Sequence, residues 1–573
     1  MRHDLRQATS QHRPSSNHAK AGRYVLGAVS VLVLLVLNVY VVQSLSIFVS
    51  PVLFLLAIFL EFTLLGVLAY TLIRALAAPE TVLRSLLMSM WGGLESNEYV
   101  LRIRQSRAPG WVWTRRRLSR ARPSGLPLTA TVVVAAFPLC SFVGLTLSVV
   151  NKGPFSSVDQ RILNMMPVVR SDGETSFFSV ATVLANGQSI ALLTVVAAAV
   201  LWWKRQRAVA VTFLVAAACQ ELLTFAVNHL VGRAGPDAVL RLISEDTLSF
   251  PSGHAVRATV MFGLLAYLLV RAYKSSAARA ATAVLYVLAV VLVGLSRVYL
   301  GVHYPTDVWG GVLLGSSVLI LLVGFLETAA RYRVIKAGRI RLENRVLLAV
   351  PAAVLAFALL ATPLLVQPRA VVVQPSYATL PTVDESTVRN LPTYSETLTG
   401  SRMEPINFIF IGSEDQVLNA FVSHGWIRAD RSSVANTLRA LAVGFQGSQY
   451  ASAPVTPSFL NAMPENVAFE QATPTQSLRQ RHHTRLWLSG YALPDGSPVW
   501  VGTASFDDGV EFAGSAKLPT HHIDPDIDAE RSYITSSLGY PQQLLTVTHP
   551  EGGHNASGDT FYTDGKAQLI DLR

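Results

Sequence analysis

The chain has 573 residues, 51% of them hydrophobic and only 14% charged, with a mean hydropathy of +0.39. That is more apolar side chain than one soluble core requires, so an ordinary soluble protein is excluded and a membrane protein is expected. A net charge of +11 and a pI near 9.7 could suggest a nucleic-acid partner, but the arginines lie between apolar runs and not on one domain face, so they are read as topology signals and no nucleic acid is expected.

Apolar runs long enough to cross a bilayer, about 20 residues each, occur near 24–44, 51–75, 129–150, 208–230, 256–272, 280–297, 308–326 and 346–366, and a shorter run at 189–203 is counted as a ninth. The first has too long an apolar part for a cleaved signal peptide and is read as an anchor. Basic residues collect on the cytoplasmic side of spans. The amino-terminal tail holds Arg2, Arg6, Arg13, Lys20 and Arg23, so it starts inside. Nine crossings then place the basic stretches 76–128, 204–207, 271–279 and 331–345 inside as well. The same count puts 231–255, 298–307 and everything after about 367 outside. Cys140 and Cys219 both fall in apolar runs, leaving neither a disulfide framework nor a CxxC metal site.

Residues 367–404 are rich in Pro, Thr and Ser, lack helical periodicity and read as a linker. A soluble α+β domain is expected over 405–573, with a buried strand at 406–411, a helix at 414–426 and further strands around 484–488 and 498–506.

Two external segments carry the chemistry. In Pro251-Ser252-Gly253-His254, proline suits the first turn of a helix and glycine lets an anion approach the backbone. Free N–H groups and the positive helix end there make a phosphate cradle, with the Ser252 hydroxyl as an added donor and His254 beside the anion. In Ser296-Arg297-x5-His303-x3-Asp307, an arginine offers a planar fork to phosphate oxygens. Pro305 forces a turn that can aim His303 at the anion, where an imidazole steadied by Asp307 can attack phosphorus.

These segments resemble the type 2 phosphatidic acid phosphatase superfamily, whose signature is K-x6-RP, then PSGH, then SR-x5-H-x3-D. The resemblance implies a six-helix core over 129–326 and a metal-free, cofactor-free phosphatase acting on a membrane lipid phosphate or diphosphate. It assigns His303 as nucleophile, Asp307 as its orienting partner and His254 as the acid for the leaving alkoxide, with Arg297, Ser252 and Gly253 on the phosphoryl oxygens. The first motif departs from the pattern: Asn228 and Gly235 stand where the lysine and arginine belong, with Arg233 close enough to supply one cation. A catalytically degenerate lipid-binding or scaffold protein, and a vanadate-dependent haloperoxidase, are the competing readings.

The external part resembles the carboxy-terminal domain of LssY-type bacterial proteins through Arg481-His482-His483-Thr484-Arg485-Leu486-Trp487, Val499-Trp500-Val501-Gly502 and the run His522 to Arg531. The architecture expected is therefore an all-α polytopic membrane protein of about nine helices followed by an α+β domain, in a bacterial inner membrane with the site outside. The segments are 1–128 (tail, two spans and a basic stretch), 129–326 (phosphatase core), 327–366 (basic loop and last span), 367–404 (linker) and 405–573 (external domain). His482, His483, His521, His522, Asp524, Asp526 and Asp528 could bind a metal, but polar strands and loops gather such residues routinely, and no metal is assigned. Glu61 and Glu221 fall within predicted spans, where carboxylates are costly and raise a functional suspicion.

Overall fold

The computed structural model describes residues 109–119, 121–153, 155–245, 248–332, 344–367, 377–431, 450–474, 480–513 and 518–573, apart from isolated positions elsewhere. The chain divides into two compact units, Met1–Gln43 with Leu55–Leu126, and Ser44–Phe54 with Pro127–Arg573. In the first, the described helix is α1, Pro109–Arg117. The expected spans at 24–44 and 51–75, and Glu61, lie outside the described residues.

The second unit opens with α2 (Leu126–Val150), α3 (Phe155–Val169), α4 (Asp172–Val183), α5 (Gly187–Trp203) and α6 (Arg207–Val231). It continues with α7 (Gly253–Ala272), α8 (Ser276–Tyr299), α9 (Pro305–Arg331) and α10 (Asn344–Leu365). The termini follow the capping chemistry of their residues. Ser275 accepts from the Ala278 N–H at the start of α8, Pro305 opens α9, and α6 ends on Gly232 at φ 65°. Five helices, α2, α6, α7, α8 and α9, are long and apolar enough to cross a membrane, and α4 with α5, bent by 45°, add a sixth if the pair is one span. Ala349–Leu365 of α10 is a shorter apolar helix. These elements correspond to the runs at 129–150, 189–203, 208–230, 256–272, 280–297, 308–326 and 346–366; the count of nine is not reached among the described residues.

Lateral faces of the long helices carry exposed apolar side chains such as Val133, Phe137, Leu222 and Phe225, the pattern expected where hydrocarbon rather than water is the solvent. Packing at the α7–α9 seam depends on small residues. A Cβ at Gly311 would lie 2.6 Å from the Ser252 carbonyl oxygen, and one at Gly310 2.7 Å from the Phe250 ring. Glycine here lets the amino end of α7 seat directly on α9.

The carboxy-terminal part is strand-rich. A sheet runs in the order Leu544–Thr546, Lys566–Asp571, Phe408–Ile411, Pro498–Ala513, Arg481–Ala492, Val467–Ala472, Ile427–Arg428. Along this path only the pair Lys566–Asp571 with Phe408–Ile411 is parallel. Period-two alternation decides its two faces. Phe408 and Phe410 pack under α11 (Glu414–Val422) and α12 (Ile527–Leu538), whereas Ile409 and Ile411 face Trp487, Val499 and Val501 on the other side. The stretch read as a linker is structured in its described part. Leu380, Val388 and Leu391 join the second of these cores, and Tyr394–Glu396 pairs with Arg402–Pro405. Its prolines removed helical periodicity without removing the apolar residues that bind it to the sheet.

An element the sequence reading passed over, α3, joins this domain to the helices. Arg161 forms an ion pair with Glu396, and the Asn164 amide donates to the Ala462 carbonyl at 2.8 Å.

Candidate functional site

The site forms where the amino end of α7 meets the turn between α8 and α9. Gly301, at φ 74°, makes that turn; a Cβ there would fall 2.1 Å from the Leu240 carbonyl oxygen. The reversal brings Arg297, at the end of α8, and His303 onto the start of α7, and the Ser252 N–H donates to the Asp307 carbonyl at 2.9 Å. Sequence-predicted residues from all three places thus converge: Ser252, His254, Arg297, His303 and Asp307 are each at most 6% exposed.

The His303 Nδ1 lies 2.9 Å from the Ser249 carbonyl oxygen. A carbonyl can only accept, so Nδ1 carries the proton and Nε2 keeps its lone pair. The Asp307 carboxylate is 3.6 Å from Nδ1, an ion-pair separation rather than a hydrogen bond. Burial lowers the His303 pKa below its ordinary value, against the opposing pull of Asp307. Asp307 spends its oxygens elsewhere: Oδ2 accepts from the Tyr304 N–H at 2.8 Å and Oδ1 from Arg233 Nη1 at 2.6 Å.

Arg233, the candidate replacement cation, is held among protein acceptors. It bonds Asp307, Asp159 (2.8 Å) and the Thr306 hydroxyl (2.8 Å), with its guanidinium 4.1 Å above the Tyr304 ring. Asp159 also accepts from the Thr306 N–H at 3.0 Å. Burial raises the Asp159 pKa to about 6, with the Arg233 charge pulling the other way.

Two buried atoms beside the amino end of α7 lack a partner among the described residues. Ser252 stands at the N-cap but caps nothing; its Oγ and the Arg297 Nε are buried and make no hydrogen bond. Buried donors without partners are costly, so such atoms mark a place built for a ligand. Arg297 Nη1 donates to Thr182 at 2.6 Å, and its Nη2 pairs with Glu245. His254 Nε2 lies 2.6 Å from Asn186 Oδ1, which fixes the ring. Sequence reasoning missed Asp159, Thr182, Asn186, Glu245 and Arg257. Only Asp159 and Arg257 carried a signal, as charges near an apolar helix.

The arrangement brings an imidazole with a free Nε2 lone pair, a second imidazole and a guanidinium to a helix amino end. The family model described as PAP2 superfamily matches residues 209–331. Phosphatidylglycerophosphatase B of Bacillus subtilis (strain 168) is 30% identical over 194 residues, covering 34% of this chain and 95% of that protein. The chain belongs to the PAP2 superfamily. Decaprenylphosphoryl-5-phosphoribose phosphatase of Mycobacterium tuberculosis is 39% identical over 95 residues, 16% of this chain and 47% of that enzyme. A solved structure, the first transmembrane PAP2 type phosphatidylglycerolphosphate phosphatase from Bacillus subtilis, shares 27% identity, covers 35% of this chain and 98% of its own, and has a TM-score of 0.32. Beyond the PAP2 core, the model described as LssY C-terminus matches 388–567.

Within that second region the histidines expected near one another separate: His482 pairs with Glu530 (2.8 Å), His483 with Asp507 (3.3 Å) and His522 with Asp508 (2.6 Å). Among the described residues no three His, Cys, Asp or Glu side chains gather to hold a metal.

Proposed function

We propose that the chain is a lipid phosphate phosphatase acting at the outer leaflet of a bacterial inner membrane through a phosphohistidine on His303. The observation that carries this is the His303 tautomer: the Ser249 carbonyl holds the Nδ1 proton, leaving the Nε2 lone pair available beside a helix amino end. The phosphate sits on the free N–H groups of α7, the Ser252 hydroxyl and Arg297, which stabilise charge on its oxygens. His303 Nε2 forms a bond to phosphorus as the ester P–O bond breaks. His254, oriented by Asn186, gives a proton to the leaving alkoxide, then takes one from the water that cleaves the P–N bond. Asp307, with Arg233 and Asp159 behind it, balances the positive charge that develops on His303.

The outward orientation is read from sequence alone: basic residues collect on the cytoplasmic side of spans, and the counted crossings assign the basic clusters at 76–128, 204–207, 271–279 and 331–345 to the side opposite the site. The substrate is an amphiphile: the site lies at the ends of helices long and apolar enough to cross a membrane, and the named phosphatases that resemble the chain act on lipid phosphates. The degenerate, lipid-binding reading has one observation in its favour, the occupation of Arg297 by Glu245. Phosphate release from a panel of lipid phosphates in detergent with EDTA separates the two. The enzyme reading expects release by the wild type and none by His303→Ala; the binding reading expects none from either.

A further inference from the structure

The family signature places two cations in its first motif, and this chain has Asn228 and Gly235 there. Asn228 is committed to structure: with its amide oriented to donate, it reaches the carbonyls of Phe250 at 2.6 Å and Pro251 at 3.1 Å. Arg233 is committed to Asp159 and Asp307. Neither is left to face a phosphate, so a further side-chain donor to the phosphoryl oxygens must come from elsewhere.

Helical side chains lean toward the amino end and lie over the residue four positions earlier. Arg257 therefore reaches back over Gly253, whose missing side chain leaves room. A Cβ placed on Gly253 would lie 3.7 Å from Arg257 Nη1 and 3.8 Å from its Cζ. The other side of the guanidinium is fixed by Glu221 of α6, which accepts from Nε at 2.6 Å and from Nη2 at 2.8 Å. Nε and Nη2 thus carry the bonds to Glu221, and Nη1 is left on the Gly253 side. The side chain is buried on most of its surface, with 21% exposed. Ser252 Oγ, next in the chain to Gly253, and the Arg297 Nε are buried without a partner among the described residues.

We propose that Arg257 is a phosphate-binding residue of this site, standing in for the missing first-motif cations, with Glu221 as the residue that positions it. The assignment rests on the phosphatase reading above. Nη1 donates to a phosphoryl oxygen while Nε and Nη2 stay on Glu221, so the guanidinium is already aimed before the substrate arrives. Because Glu221 cancels its charge, the pair supplies a donor without adding net positive charge. The site is thereby matched to a lipid monophosphate more than to a diphosphate.

The test measures orthovanadate binding and phosphate release with the purified full chain in detergent micelles, for wild type, Arg257→Gln, Arg257→Lys and His303→Ala. Gln retains a polar side chain of moderate length, and equal melting temperatures establish that the variant folds; Lys keeps the charge but loses the fork. Loss of one charge-assisted hydrogen bond is expected to weaken vanadate binding about 10- to 100-fold in Arg257→Gln, with Arg257→Lys between it and wild type. Phosphate release from phosphatidylglycerophosphate falls in the same order. Vanadate affinity in both variants within about twofold of wild type would overturn the assignment. If the wild type releases no phosphate from any lipid, the phosphatase reading fails, and the vanadate titration still decides whether Arg257 faces the anion.

Discussion

His303 owes its tautomer to a main-chain carbonyl, 2.9 Å from Nδ1, and not to the carboxylate at 3.6 Å. In a triad where the carboxylate sets the tautomer, its conversion to the amide costs about 10⁴ in rate. Here Asp307→Asn leaves the Ser249 contact intact, and kcat is expected to fall on the order of 10², the loss of charge stabilisation alone. A loss as large as that of His303→Ala would show that Asp307 does set the ring. Asp159 provides the pH dependence. Its pKa is raised to about 6, so it is protonated below that value and charged above it. The Asp159–Arg233 pair exists only with the carboxylate charged, so activity is expected to rise with pH through about 6. In Asp159→Asn that step should be missing from the kcat/KM profile; its persistence at the same pH would assign the step to another group. Ser252, His254, Arg297, His303 and Asp307 could be read from sequence because their chemistry is packed into two short motifs. Thr182, Asn186 and Glu245 could not, since each is an ordinary residue whose partner lies far along the chain.

At the scale of elements, the site depends on α7 lying against α9 without intervening side chains. The Cβ of Gly311→Ala would meet the Ser252 carbonyl at 2.6 Å, a backbone atom that cannot rotate away. Overpacking of this kind costs about 1–3 kcal/mol. Gly311→Ala is expected to lower the melting temperature and to cut activity, because the shift displaces Ser252 itself. Gly110→Ala, on α1 with open space around the glycine, should be silent in the same melting assay. Hydropathy made the long helices legible, since a run of apolar residues needs no partner to be recognised. It passed over α3, where Asp159, Arg161 and Asn164 are buried by partners brought from Arg233, Glu396 and Ala462. Polar residues on a short helix read as surface until those partners are known.

On the scale of the whole molecule, α3 has two working sides: Asp159 supports Arg233 and Asp307 at the site, while Arg161 and Asn164 hold the strand-rich domain. Arg161 is 7% exposed at its side chain and Glu396 33%. Removing the carboxylate leaves a buried guanidinium unpaired, whereas removing the arginine leaves an acid that water can reach. Glu396→Ala should therefore destabilise the protein more than Arg161→Met in thermal melts, and equal effects would mean that the pair contributes little. The domain's β-rich character was legible from alternation, but its start was not, because Leu380, Val388 and Leu391 sit singly among prolines and polar residues. The central claim, a phosphohistidine on His303, is tested most directly by mixing purified protein with phosphatidylglycerophosphate labelled in its terminal phosphate, quenching within one turnover and mapping the label. An acid-labile, alkali-stable phosphate is expected on the peptide carrying His303, absent from His303→Ala. Turnover of the lipid with no label on the protein at any quench time, or label on another residue, would contradict it.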